Sequence, residues 1–116
     1  MENCLFCKII RNEIPAKKVY EDEDILAFFD IHPQREMHIL VIPKKHIQSL
    51  AHVEKSDQEV LGKILLKVEE IANQNGSKNG FRVIINTGIV GGQEVNHLHA
   101  HLLGGEKPVG AMLSRS

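Results

Sequence analysis

Only one stretch of this 116-residue chain has the makings of a long helix, and that limits what the rest can build. Val60, Leu61, Ile64, Leu65, Val68, Ile71 and Ala72 fall on one helical face. Ser56 and Glu59 fit a capping box that satisfies orphan amide donors at the helix start, and Asn75-Gly76 supplies the stop. The remaining apolar segments are short and strand-like. A parallel sheet needs a long crossover, usually helical, between successive strands, so repeated βαβ units are excluded. The expected class is α+β: a mostly antiparallel sheet of about five strands with helices packed on one side.

The strands are expected over residues 18–20, 25–31, 38–42, 81–86 and 97–103. The first two are joined by the acidic turn Glu21-Asp22-Glu23-Asp24. The third, His-Ile-Leu-Val-Ile, is rich in β-branched residues and lies between Pro33 and Pro43, as a buried strand would. Residues 4–12 suit a short N-terminal helix, which Pro15 ends. Residues 88–92 form a glycine-rich loop. The length suits a single domain over residues 1–116, with no internal repeat or low-complexity tract.

The last strand carries the chemistry. His97-Leu98-His99-Ala100-His101-Leu102-Leu103 alternates imidazole with apolar residues. Side chains alternate faces along a strand, so three imidazoles would line one face, roughly 6.6 Å apart at Cα. Groups with ordinary pKa near ~6.5 can then provide a nucleophile, a proton donor and a phosphate-binding cation at neutral pH. The alternative is a polar strand edge with no function.

A formal net charge of −1, with only the basic doublets Lys17-Lys18 and Lys44-Lys45, gives no field for nucleic acid. No apolar run approaches the ~20 residues that span a bilayer. No basic region followed by an apolar stretch opens the chain, so cytoplasmic residence is expected. The two cysteines, Cys4 and Cys7, form a Cys-x-x-Cys pair that suits metal binding or redox chemistry, or two small buried thiols. His32 and His52 read as solvated surface histidines. Asp30, directly after an apolar strand, suits a site better than a plain turn.

These residues also carry a resemblance. The triad run, preceded by Gly91-Gly92-Gln93, resembles the signature of the histidine triad (HIT) family. Residues 38–46, His-Ile-Leu-Val-Ile-Pro-Lys-Lys-His, resemble its second block, and Ile14-Pro15-Ala16-Lys17 with Ala27-Phe28-Phe29-Asp30-Ile31 its first. The match covers nearly the whole chain, in order. It looks most like the Hint-like purine nucleoside phosphoramidases, in a bacterial form.

The resemblance implies a HIT-like fold and hydrolysis of purine nucleoside phosphoramidates or nucleotidylated amines at the α-phosphorus. By it, His99 attacks to give a nucleotidyl-histidine, His101 and His38 hold or protonate phosphate oxygens, and His97 orients His99 through its backbone carbonyl. Asp30 would take the ribose hydroxyls with Ile31 beside it, and Asn86 would lie near sugar and phosphate. Gly92 and Gln93 would bring backbone donors to the phosphate. Phe6, Ile9 and Phe28 are candidates for the purine slot. No cofactor is implied for catalysis, but Cys4, Cys7, His46 and His97 match a structural zinc site found in part of the family. Outside zinc, His46 would cap a strand end. Relatives form homodimers by joining sheet edges across strands like 81–86.

Two positions depart from the family pattern. Glu94 stands in the nucleotide site where a serine often helps the leaving group, and a carboxylate beside a phosphate is unfavourable unless protonated or turned away. The tail from Met112 to Ser116 lacks the tryptophan-containing end of animal members. The alternatives are dinucleoside polyphosphate hydrolysis, nucleotidyl transfer, a hydrolase with zinc held by the triad, and a non-catalytic nucleotide-binding module.

Overall fold

The structure is a computed structural model that describes residues 3–112; Met1, Glu2 and residues 113–116 of the tail lie outside the described range. The elements in chain order are α1 (Leu5–Ile10), β1 (Lys18–Glu21), β2 (Ile25–Phe29), β3 (Met37–Pro43), α2 (Gln58–Gln74), β4 (Arg82–Ile84), α3 (Gly88–Gly91) and β5 (Ala100–Gly104). Five strands form one sheet in the order β1-β2-β3-β5-β4, every pair antiparallel, as one long helix and short connections require. No helix among the described residues is long and apolar enough to cross a membrane.

Alternation along the strands divides the sheet into two apolar faces. On one, Ile25, Ala27, Met37, Ile39, Val41, Ala100 and Leu102 pack against Ile64, Val68, Ile71 and Ala72 of α2. On the other, Leu26, Phe28, Leu40 and Ile42 pack against Phe6 and Ile9 of α1. The two helices therefore cover opposite faces, and the expectation that both pack on one side is corrected. β3 is buried along its whole length because it has a neighbour on both edges and a cover on both faces.

Three local expectations are also corrected. The capping box forms one turn before α2, on the 3-10 turn Lys55–Asp57 between Glu54 and Asp57, and not between Ser56 and Glu59 at the start of α2; Asp57 anchors it. Its buried carboxylate accepts the Glu54 N–H at 2.9 Å and a Lys45 ammonium hydrogen at 2.6 Å. Residues 88–91 close into one helical turn, ended by Gly92 at φ +76°, a conformation that suits glycine. The last strand begins at Ala100, three residues later than expected. β3 ends at Pro43, which has no N–H to continue a ladder. Leu98 donates instead to the Ile47 carbonyl, and residues 97–99 peel away from the sheet.

Candidate active site

A cleft of about 270 Å³ opens on the sheet face that α1 covers. Register places its floor. Leu40 of β3 lies opposite His101 of β5, and His101 lies opposite Ile84 of β4. His38, two residues before Leu40, is the diagonal neighbour of His101, a spacing that long side chains bridge. His38 Nε2 lies 2.9 Å from His101 Nδ1. Phe6 of α1 closes one wall, its ring edge-on to His99 with centroids 5.2 Å apart. Asp30, Asn86, Gly92 and Glu94 complete the rim.

The three histidines of the run enter three different environments, because residues 97–99 leave the strand. His99 Nδ1 lies 2.7 Å from the His97 carbonyl oxygen. A carbonyl only accepts, so Nδ1 carries the proton and Nε2 keeps a free lone pair. His38 Nδ1 accepts the backbone N–H of Gln34 at 3.0 Å, which puts the His38 proton on Nε2. That Nε2–H donates to His101 Nδ1, so neutral His101 carries its own proton on Nε2. Asp30 Oδ2, 3.5 Å from His38 Nε2, favours the same arrangement. Burial lowers the pKa of both His38 and His101, which keeps the pair neutral at pH 7.

His97 turns away from the cleft. Its Nε2–H donates to the Pro43 carbonyl at 2.8 Å, leaving Nδ1 as an acceptor. That Nδ1 lies 3.3 Å from Cys4 Sγ and 3.6 Å from Cys7 Sγ, and His46 Nδ1 lies 3.4 Å from Cys7 Sγ. The four ligand atoms all fall within 4.8 Å of one another. A tetrahedral metal at ~2.3 Å from sulfur and ~2.0–2.1 Å from nitrogen has sulfur-to-nitrogen edges of about 3.6 Å. The donor set and its spacing therefore fit zinc. Burial lowers His97 to about 4, and burial beside Cys4 raises the Cys7 thiol to about 11.

The structure brings His38, His99, His101, Asp30, Asn86, Gly92, Glu94 and Phe6 into one cleft. The remaining sequence candidates lie elsewhere. Phe28 and Ile9 are buried behind Phe6, where Phe28 meets its ring edge-on at 5.5 Å, and they do not line the cleft. Ile31 is 84% exposed beyond the rim. Gln93 braces its loop, its Nε2 donating to Gln48 and Val95 carbonyls and its Oε1 accepting the Gly88 N–H. His32, read from the sequence as a solvated surface histidine, is exposed but stands on the cleft lining, and Val95 lines the cleft without having been singled out. Leu40 also lines it and was legible, since it shares the strand face of His38. Gln34 contributes through its backbone amide, which no residue type announces.

The HIT domain family model matches residues 11–108. The protein HitA of Neisseria gonorrhoeae is 54% identical over 104 residues, covering 90% of this chain and 97% of its own. An uncharacterised HIT-like protein of Synechococcus elongatus is 55% identical over 104 residues, covering 90% and 91%. A HIT family hydrolase from Legionella pneumophila superposes with a TM-score of 0.86 at 51% identity, over 90% of this chain and 95% of the other. A histidine triad protein from Clostridium difficile superposes at 0.89 and 46% identity, over 96% and 97%.

Proposed function

This chain belongs to the HIT domain family, and we propose that within it the protein is a nucleotide-binding hydrolase. It cleaves the bond between nitrogen and the α-phosphorus in purine nucleoside phosphoramidates and nucleotidylated amines. The observation that carries this reading is the 2.7 Å approach of His99 Nδ1 to the His97 carbonyl, which leaves Nε2 as a nitrogen nucleophile on the cleft wall. The name of the Legionella relative, a hydrolase, agrees with it.

In the first displacement a bond forms between His99 Nε2 and phosphorus. The bond from phosphorus to the leaving nitrogen breaks, and the amine takes a proton from solvent water at the cleft mouth. In the second, water attacks phosphorus, His99 Nε2 leaves, and the proton the water loses returns to solvent, releasing the nucleoside monophosphate. Dividing one displacement into two lowers each barrier. The His101 Nε2–H donates to a non-bridging phosphate oxygen as its charge grows. Asp30 accepts from the ribose hydroxyls and Asn86 sits near sugar and phosphate, whereas the Gly92 and Gln93 N–H groups, expected as phosphate donors, are spent on the Ile89 and Gly88 carbonyls inside their own turn.

Cys4, Cys7, His46 and His97 hold a structural zinc ion, which supplies a closed four-ligand cross-link between α1 and the segment entering β5. The protein works as a homodimer through the outer edge of β4, the strand that ends the sheet order.

The test is intact mass after brief mixing with adenosine phosphoramidate and acid quench, for wild type and His99→Ala. A nucleotidyl adduct in wild type that the variant lacks supports the reading. Turnover without an adduct, abolished by chelator, replaces it with a metal hydrolase. Binding with neither turnover nor adduct leaves a nucleotide-binding module. Faster turnover of diadenosine polyphosphates than of the phosphoramidate moves the protein to that substrate class.

A further inference from the structure

Residues 31–36, between β2 and β3, are all exposed, so no buried apolar side chain fixes their path. Yet Gln34 in this segment gives the amide hydrogen that assigns the His38 tautomer, and through it that of His101. Whatever holds the Gln34 peptide therefore acts on the proton at the cleft.

Arg35 does so from the next position. One guanidinium nitrogen donates to the carbonyl of Gln34 itself at 2.6 Å. Its Nε donates to the carbonyl of Val109 at 3.0 Å, across 74 residues of sequence. Glu36 adds a second tie, its carboxylate accepting the Glu106 N–H at 3.2 Å. The strap that receives these bonds is itself fastened on the far side, where Arg82 of β4 donates to the Gly110 carbonyl. The connection runs Arg82, Gly110, Val109, Arg35, Gln34, His38, His101 without a break. A planar guanidinium serves two carbonyls at once, which a lysine ammonium on a flexible stem does less well.

We propose that Arg35 is a positioning residue: by tying Gln34 to the strap at residues 109–110, it holds the Gln34 amide on His38 Nδ1 and so keeps the His101 proton on Nε2, facing the phosphate. The catalytic value of that placement rests on the role given to His101 above, but the placement itself does not. Arg35 holds the peptide that follows Gln34, and the amide on His38 belongs to the peptide that precedes it, so without Arg35 the φ and ψ of Gln34 are less restrained and that amide can turn off His38. His38 Nδ1 then takes a proton in part of the population, His38 Nε2 becomes an acceptor, and His101 can lose its donor at Nε2.

The tautomers are read directly from imidazole nitrogen shifts and their long-range couplings to ring hydrogens, in protein labelled with nitrogen-15 at histidine. Wild type, Arg35→Met and Arg35→Lys are compared, with the His97 and His99 signals and the far-ultraviolet circular dichroism as checks on folding. The expected result is Nε2–H for His38 and His101 in wild type. A tautomer mixture is expected in Arg35→Met, and a smaller admixture in Arg35→Lys. On adenosine phosphoramidate, Arg35→Met should lose about tenfold in kcat with little change in KM, a fraction of what one donor to a growing oxyanion contributes. A pure Nε2–H pair in Arg35→Met overturns the proposal, as does a kcat loss with unchanged tautomers. If wild type turns over no phosphoramidate, the functional reading fails while the nitrogen shifts still decide the role of Arg35.

Discussion

His97 commits each of its polar groups to a different neighbour. Nδ1 faces the thiols, Nε2–H donates to Pro43, and the backbone carbonyl receives His99 Nδ1. Burial lowers its pKa to about 4, so in metal-free protein the native state resists a proton that the unfolded chain takes at ~6.5. The stability it protects is fully present above pH ~6.5 and falls as pH drops towards 4, by about 3 kcal/mol at roughly 1.4 kcal/mol per pH unit. Urea melts of metal-free protein across that window should show the slope, and His97→Gln should make it shallower, the remainder coming from His38, His46 and His101, which burial also lowers. His38 and His101 are also pushed down by burial, so their rings should take up a proton below the ordinary imidazole range near ~6.5. Their ring nitrogen shifts followed against pH read it. The histidines, both cysteines and Asp30 were legible as residues. Their partners at Gln34, Pro43 and His97 are backbone atoms, which carry no residue signature, and only folding assigns a tautomer.

At the scale of elements, two junctions decide whether the site's supports hold. β5 ends at Gly104, where an added Cβ would come within 2.1 Å of Ser77 Oγ and 3.0 Å of Met37 Cε. Ser77 is buried, donates to the Gly80 carbonyl and accepts the Gly105 N–H, so it cannot retreat without losing both. Gly104→Ala should cost about 1–3 kcal/mol by overpacking, measured by chemical denaturation. The start of α2 gives a sharper contrast. Asp57→Ala should cost about 1–2 kcal/mol, since it removes the acceptor for Glu54 and the partner of Lys45, whereas Ser56→Ala should be close to neutral. The long helix and β3 were legible because unbroken apolar patterns dictate them. The start of β5 was misplaced because alternation along 97–103 marks extended chain without saying whether a partner strand is there. Pro43 ends that partner. Phe28 was taken for a cleft wall because composition cannot say which of two aromatic rings stands in front.

For the whole molecule, the order β1-β2-β3-β5-β4 leaves β4 with one free edge, and the dimer proposed through it makes sedimentation the direct test. A two-chain mass supports edge pairing, and a monomer at micromolar concentration removes it. The four-ligand site joins α1 to residues distant in sequence, so stripping the zinc proposed there should lower the melting temperature by roughly 10 °C, as a loss of a few kcal/mol does in a chain of this size.

The seven-residue burial of β3 has a dynamic consequence. Its amides can meet deuterated solvent only when the whole fold opens, while those of residues 31–36 lie at the surface. His38 thus joins a buried strand to an exposed segment: its ring rides on β3, and its tautomer is set by an amide from residues 31–36. Deuterium uptake should take hours at Leu40 and come earlier at Gln34, whose amide is protected only by its bond to His38 and opens with the exposed segment. A bound nucleotide that slows Gln34 alone would show the cleft completing itself on a rigid floor.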